Sequence, residues 1–150
     1  MCSMNPSDES TQSAPPGADE AHLLAAAWEI RGGALCTYSN FAVGAALLDS
    51  EGRVWTGANV ENASYTLGLC AERVAIFYAL AHGARDFKCV AVVTGAAEPT
   101  LPCGACRQIL HEFAPQAVII SAVADGQTLR TTVRALLPFG FDASSLGRRA

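Results

Sequence analysis

Three cysteines, Cys70, Cys103 and Cys106, have the residue type and the spacing to support chemistry. Cys103 and Cys106 form a C-x-x-C pair in the segment PCGAC, at the start of a predicted helix. Free backbone N–H groups and the positive end of the helix dipole lower thiol pKa values at this position, which favours the thiolates that bind zinc or carry out redox reactions. Alone, the pair is compatible with a metal site, a redox pair or ordinary packing.

Cys70 also starts a predicted helix, so two helix N-termini can bring three thiolates to one point. Three protein ligands are typical of a catalytic zinc site, in which a fourth position is open to water. A structural zinc site needs a fourth ligand, and Cys36 and Cys89 are the candidates. Cys89 lies in the apolar run CVAVV, where a buried cysteine is ordinary, and Cys36 has no ligand-like neighbour. The sequence therefore favours the three-cysteine site.

Glu72 follows Cys70 by two residues and can supply the proton transfer that a hydrolytic reaction requires. A carboxylate beside the metal, and not bound to it, can take a proton from water and deliver it to a leaving group. The alternative is a glutamate that offsets the helix dipole in the first turn. That alternative explains a glutamate here but not its pairing with three placed cysteines. A redox pair, in turn, would need neither Glu72 nor Cys70.

The composition limits the class of protein. A chain of 150 residues is long enough for one domain with a core. The net charge of −4 and the lack of a basic run argue against a polynucleotide partner. The longest apolar runs are too short to span a bilayer, and the N-terminus lacks the pattern of a secretory signal. We therefore expect a cytoplasmic protein whose six cysteines are free thiols or metal ligands rather than disulfides.

Residues 1–18 are polar and rich in proline and serine, which predicts a disordered segment before one domain at 19–150. The first predicted helix is DEAHLLAAAWEIR, capped by Asp19 and ended by Gly32-Gly33, and the second runs from about Cys70 to His82 and is closed by Gly83. The third is CGACRQILHEFA, ended before Pro115, and the last is RALLP with a few preceding residues. Predicted strands are FAVGAALL and RVWTGANV, joined by a turn, then FKCVAVVTG, AVIISAV and TLRTTV. Strands interleaved with helices predict a layered α/β domain around one sheet.

The segments CAER and PCGACRQ together resemble the zinc deaminase signature in its three-cysteine form. The segments YSNFAVGAALL, GANVENASY and CAERVAIFYA resemble the cytidine deaminase family, and the similarity covers roughly residues 20–142. The resemblance implies a central mixed sheet of about five strands flanked by helices.

The same resemblance implies hydrolytic deamination of cytidine and deoxycytidine to uridine and deoxyuridine, with release of ammonia, in pyrimidine salvage. Zinc held by the three cysteines would activate water for attack at C4 of the base. Glu72 would protonate the ring nitrogen and then the departing ammonia. The partner would be a free pyrimidine nucleoside, with no polynucleotide and no membrane involved.

Asn59 and Glu61 lie two residues apart, so on an extended strand their side chains share one face. Such a pair can bind a sugar hydroxyl, although polar residues at a strand end are also commonly just solvated. The resemblance implies that Asn59 and Glu61 bind the ribose 3′-hydroxyl and that Phe41 packs against the base. It also implies a homotetramer, in which Ala63, Tyr65 and Phe141 reach a neighbouring subunit's pocket. The segment LLPFGF offers Phe139 as an alternative to Phe141.

Arg73 lies three residues after Cys70, so their side chains are neighbours on a helix. Three thiolates leave a Zn²⁺ site with a net negative charge, which a guanidinium would offset. The resemblance implies this contact between Arg73 and the zinc thiolates; the alternative is a surface salt bridge of no catalytic importance. Arg107 and Gln108 belong to the matching motif, but the sequence assigns no role to them.

Two other functions are compatible with these residues. One is a related deaminase that acts on another substrate, such as a nucleoside antibiotic or a base within RNA or DNA. The acidic net charge argues against a polynucleotide, and the Asn59–Glu61 pair argues for a free nucleoside. The other is a non-enzymatic protein with a structural zinc, which would require a fourth ligand.

Overall fold

A computed structural model of the chain describes residues 18–147. The segment predicted to be disordered, residues 1–18, lies outside the described residues except for Ala18, which already belongs to the first helix. The prediction that Asp19 caps this helix is therefore wrong. Asp19 lies within the first turn, where its charge is still favourable beside the positive end of the helix dipole. Within the described residues, no helix is long and apolar enough to cross a membrane.

Four α-helices and five strands make up the regular structure of the described residues. In chain order they are α1 (Ala18–Arg31), β1 (Val43–Asp49), β2 (Val54–Ala58), α2 (Ala71–Ala81), β3 (Phe87–Thr94), α3 (Gly104–Phe113), β4 (Val118–Val123), β5 (Thr128–Thr132) and α4 (Val133–Leu136). Two short 3-10 helices, Tyr65–Leu67 and Ala143–Leu146, were not expected from the sequence.

The strands form one sheet in the order β2-β1-β3-β4-β5. Only β3 and β4 run parallel, and the connection between them contains α3; the other neighbours are antiparallel. This is the mixed five-stranded sheet that the family resemblance implies. The crossover places the N-terminus of α3 just beyond the carboxyl end of β3, an edge of α/β sheets at which ligands commonly bind.

Helices cover both faces of the sheet. Along β1, Ala45 and Leu47 face the core shared with α2 and α3, whereas Ala46 faces the core shared with α1. This alternation follows from the two-residue period of a strand. Strand β3 is buried along nearly its whole length, which agrees with its continuous apolar run. Packing on the sheet therefore fixes the positions of α2 and α3, whose N-termini carry the three cysteines.

Gly57 allows α2 to lie directly against β2. A Cβ atom at this residue would be 2.5 Å from the backbone nitrogen of Ala75 and 2.6 Å from the carbonyl oxygen of Ala71. The backbone atoms of a packed helix cannot move independently of the helix, so the whole of α2 would have to shift. We expect Gly57→Ala to lower the free energy of unfolding by about 1–3 kcal/mol, measured by chemical denaturation of the zinc-loaded protein.

Gly32→Ala is the matched control, since a Cβ there meets nothing nearer than the Glu29 carbonyl oxygen at 3.4 Å. This variant should keep nearly the parent stability. Equal stability of Gly57→Ala and Gly32→Ala would show that the close approach of α2 to β2 does not constrain the fold.

Candidate metal centre and active site

The three cysteines meet where α2 and α3 begin. Cys70 is the N-cap residue of α2, Cys103 is the N-cap residue of α3, and Cys106 lies in the first turn of α3. Their sulfur atoms all lie within 4.8 Å of one another, and those of Cys70 and Cys103 are 3.7 Å apart. Zn–S bonds of about 2.3 Å put sulfurs about 3.8 Å apart around a tetrahedral ion. The donor set therefore fits zinc.

The cysteines considered as fourth ligands lie elsewhere. Among the described residues, the group of side chains able to hold a metal contains neither Cys36 nor Cys89. Cys89 is buried in β3 against the core shared with α1, and this burial raises the pKa of its thiol to about 11. A closed four-cysteine site, and with it a purely structural zinc, is therefore not what the described chain forms.

The electrostatics of the cluster favour a thiolate at Cys70. A hydrogen bond from the Cys106 thiol, supported by the guanidinium of Arg73, lowers the pKa of Cys70 to about 5. The same bond, together with burial, raises the pKa of Cys106, so Cys106 keeps the shared proton. A metal ion binds both sulfurs as thiolates, and its binding therefore releases this proton.

Arg73 contacts the cluster as the helical spacing predicts. Its Nη2 lies 3.4 Å from the sulfur of Cys70 and 3.5 Å from the carbonyl oxygen of Gly68. Its Nε is buried and has no hydrogen-bond partner among the described residues. A guanidinium held against a sulfur in this way places positive charge where the thiolates concentrate negative charge.

Glu72 is buried in the first turn of α2, with 5% of its surface exposed. Burial raises the pKa of its carboxyl group to about 7, and the nearby negative charge of Cys70 acts in the same direction. A glutamate that only offset the helix dipole would gain nothing from this costly burial. A carboxyl group with a pKa near neutrality beside a metal site is instead suited to accepting and donating protons.

Residues 59–61 continue from β2 toward the cysteine cluster. The backbone of Val60 exchanges two hydrogen bonds of 2.9 Å with Leu69, the residue before Cys70. On the other side, the Asn59 carbonyl accepts from the N–H of Leu35, and the N–H of Glu61 donates to the carbonyl of Leu35. The segment that carries Asn59 and Glu61 is thus joined directly to the chain that enters α2.

The side chains of Asn59 and Glu61 both hold the loop that precedes β1. Asn59 accepts a hydrogen bond from the N–H of Val43 at 2.8 Å and donates one to the carbonyl of Phe41 at 2.9 Å. Glu61 accepts from the N–H groups of Tyr38 and Ser39 and from the Ser39 hydroxyl. Both side chains are therefore held by this loop and are not merely solvated.

The remaining predicted binding residues lie at the surface of the single chain. Ala63 is exposed, and Tyr65 is 78% exposed with its ring packed edge-on against Tyr38 at 5.7 Å. Phe141 is 58% exposed, and Phe139 is fully exposed with a positive φ of 58°. These side chains are available to a neighbouring molecule.

Arg107 and Gln108, which the sequence left without a role, tie α3 to the C-terminal segment. Arg107 donates to the carbonyl of Pro102 at 2.7 Å and to that of Leu136 at 3.2 Å. Gln108 donates to the carbonyl of Phe141 at 2.8 Å. The helix that supplies two of the three cysteines therefore also holds the backbone of Phe141. Their place in the PCGACRQ motif was the one available signal.

Fold and site together define the class: a zinc-dependent hydrolytic deaminase, with three thiolates and a buried carboxyl group on a mixed α/β sheet. A family model of the cytidine and deoxycytidylate deaminase zinc-binding region matches residues 18–122. The chain therefore belongs to the cytidine and deoxycytidylate deaminase family, and zinc is its cofactor.

Similar proteins cover most of the chain. A cytidine deaminase from Halalkalibacterium halodurans is 44% identical over 129 residues, covering 85% of this chain and 98% of the relative. A cytidine deaminase from Sporosarcina psychrophila is 41% identical over 133 residues, covering 88% of this chain and 98% of the relative. The crystal structure of a cytidine deaminase from Burkholderia pseudomallei superposes on this chain with a TM-score of 0.79. The two sequences are 45% identical, and the match covers 81% of this chain and 98% of the other. The resemblance that the sequence motifs indicate is confirmed.

Proposed function

We propose that the protein deaminates cytidine and deoxycytidine hydrolytically to uridine and deoxyuridine, releasing ammonia, in pyrimidine salvage in the cytoplasm. One observation carries the proposal. Three cysteine sulfurs from two helix N-termini meet within 4.8 Å of one another, and the buried carboxyl group of Glu72 lies in the first turn of one of these helices. The two relatives described above are both named cytidine deaminases, which supports the choice of substrate.

Cys70, Cys103 and Cys106 would hold the zinc ion, which would supply a Lewis acid able to make a water molecule nucleophilic near neutral pH. Glu72 accepts the proton that the attacking water loses and passes it to the ring nitrogen of the base. As the carbonyl forms at C4, Glu72 delivers the second water proton to the amino group, which leaves as ammonia. The carboxyl group is buried, so bulk water does not compete for these protons.

The sugar and the base are held by the segments that flank the metal site. Glu61 and Asn59 bind the ribose 3′-hydroxyl, because each combines a fixed position with remaining hydrogen-bonding capacity. Phe41 packs against the base from the loop that both residues hold. Arg73 offsets the negative charge of the thiolates through its contact with Cys70. A net charge of −4 disfavours a polynucleotide as substrate.

The test is direct. Purified zinc-loaded protein is incubated with cytidine or deoxycytidine, and the conversion to uridine or deoxyuridine is followed by absorbance and by release of ammonia. Conversion of both nucleosides, with loss of activity on chelation and recovery on zinc addition, is the expected result. A protein that holds zinc but converts neither nucleoside would contradict the proposed function.

We infer that the active form is a homotetramer with sites shared between chains. The exposed apolar side chains of the single chain support this, because contact with neighbouring subunits would remove them from water. The most exposed of them are Leu35, Tyr65, Leu67, Phe139, Phe141 and Leu146. Ala63, Tyr65 and Phe141 then complete the pocket of a neighbouring subunit.

Light scattering should therefore give the mass of four chains.

Phe141→Ala is expected to raise the KM for cytidine and leave the zinc content unchanged, because Phe141 contacts the nucleoside and not the metal. Phe139→Ala should have a smaller effect on KM. A fully active monomer would refute shared sites, and the reverse ranking of the two variants would transfer the contact to Phe139.

A further inference from the structure

The loop between α1 and β1 carries Phe41 and is folded tightly. The N–H of Asn40 donates to the carbonyl of Cys36 at 2.8 Å, and Asn40 has a φ of 57°. Asparagine tolerates this left-handed conformation better than most residues, so the turn is compatible with the sequence. The turn brings Ser39, which has no assigned role, between Phe41 and Glu61.

Ser39 links these two residues through a single hydroxyl group. Its Oγ donates to Oε1 of Glu61 and accepts from the N–H of Phe41 at 3.0 Å. The N–H groups of Tyr38 and Ser39 donate to the other carboxylate oxygen, Oε2, at 2.8 and 3.1 Å. Both oxygens of Glu61 are therefore bound by the loop, and the carboxylate cannot rotate freely. Hydrogen bonds to an ionised carboxylate are among the stronger ones in proteins.

The carboxylate of Glu61 faces a space that a ligand can enter. Ser39, Glu61 and Tyr65 line a cavity of about 280 Å³ together with Gly68, two residues before Cys70. The Ser39 hydrogen bond, with the two loop N–H groups, lowers the pKa of Glu61, so the group stays ionised and acts only as an acceptor. Each carboxylate oxygen can accept two hydrogen bonds, so a ligand hydroxyl can bind while Ser39 remains in place.

We propose that Ser39 is a positioning residue for the nucleoside: its hydroxyl fixes the Glu61 carboxylate relative to Phe41, and so couples recognition of the sugar hydroxyl to packing of the base. The proposal rests on the proposed function, in which Glu61 binds the 3′-hydroxyl and Phe41 packs against the base. It gives Ser39 a role in substrate affinity and none in the proton transfers at Glu72.

Ser39→Ala is expected to raise the KM for cytidine by about 10-fold or more, because a hydrogen bond to a charged group is lost at the sugar-binding carboxylate. The kcat should change by less than about 2-fold, since the variant leaves the transition-state chemistry untouched. Ser39→Thr keeps the hydroxyl and should restore most of the affinity. Ser50→Ala, in the exposed turn after β1, is the matched control and should behave as the parent.

The deciding comparison uses 3′-deoxycytidine, which lacks the hydroxyl that Glu61 binds. The KM ratio of Ser39→Ala to parent should be clearly smaller with 3′-deoxycytidine than with cytidine. An equal ratio for both substrates, a fall in kcat alone, or a lower KM in Ser39→Ala would overturn the proposal, as would a variant that no longer folds by melting temperature.

The outcome also separates this proposal from the proposed function. If the parent protein does not convert cytidine, the proposed function fails. If the parent converts cytidine and Ser39→Ala has the parent KM, only the role of Ser39 fails.

Discussion

Glu72→Gln is expected to keep its zinc and its fold while its kcat for cytidine falls by a factor of about 10²–10⁴. Glutamine has nearly the shape of glutamate but cannot accept a proton near neutral pH. The side chain is buried in the first turn of α2, so bulk water has little access to replace it. The substitution removes the proton carrier and leaves the three thiolates in place.

Three measurements check this result: turnover by absorbance, bound zinc by elemental analysis after dialysis, and melting temperature. Glu29→Gln is the matched control, because Glu29 is exposed on α1 and the substitution makes the same change of charge. Its turnover should equal that of the parent. Near-normal activity in Glu72→Gln would end the assignment of Glu72 as the proton carrier, and loss of zinc would instead indicate a role in the metal site.

The boundaries of α2 could be predicted because strong local signals mark both ends. Cys70 begins the helix and His82 and Gly83 end it, with Gly83 in the left-handed conformation at a φ of 81°. The start of α1 was predicted wrongly because Asp19 is equally suited to a cap and to a first helical turn. The two 3-10 helices are too short to produce a hydrophobic period, so no periodic pattern in the sequence indicates them.

The site shows the same division between local and distant information. The cysteines could be identified because their spacing and their places at two helix starts are local features. The burial of Glu72 depends on how α2 packs on the sheet. This packing cannot be predicted from the position of one residue in the sequence. The contact of Ser39 with Glu61 spans 22 residues, and that of Gln108 with Phe141 spans 33. Hydrophobic periodicity carries no information about polar contacts over such distances.

Cys103→Ala should abolish stable zinc binding and, with it, deamination. Replacing the partners that orient metal ligands typically costs about 10–100-fold in metal affinity, so removing a ligand itself should cost more. Cys103 is an informative ligand to replace because its side chain is exposed, whereas Cys106 is buried. Replacing the Cys103 side chain removes little packing. Any destabilisation of the variant must therefore come mainly from the loss of the metal.

The stability of Cys103→Ala is a separate test of the metal's role. Metal binding is coupled to folding, so the parent should melt at a lower temperature after zinc is removed by a chelator. Cys103→Ala should already melt at about that lower temperature, and the chelator should not change it further. Cys36→Ala, which alters a half-buried cysteine outside the cluster, should keep the zinc and the chelator response of the parent. One tightly held zinc per chain in Cys103→Ala would contradict its role as a ligand, because the two remaining cysteines would then suffice.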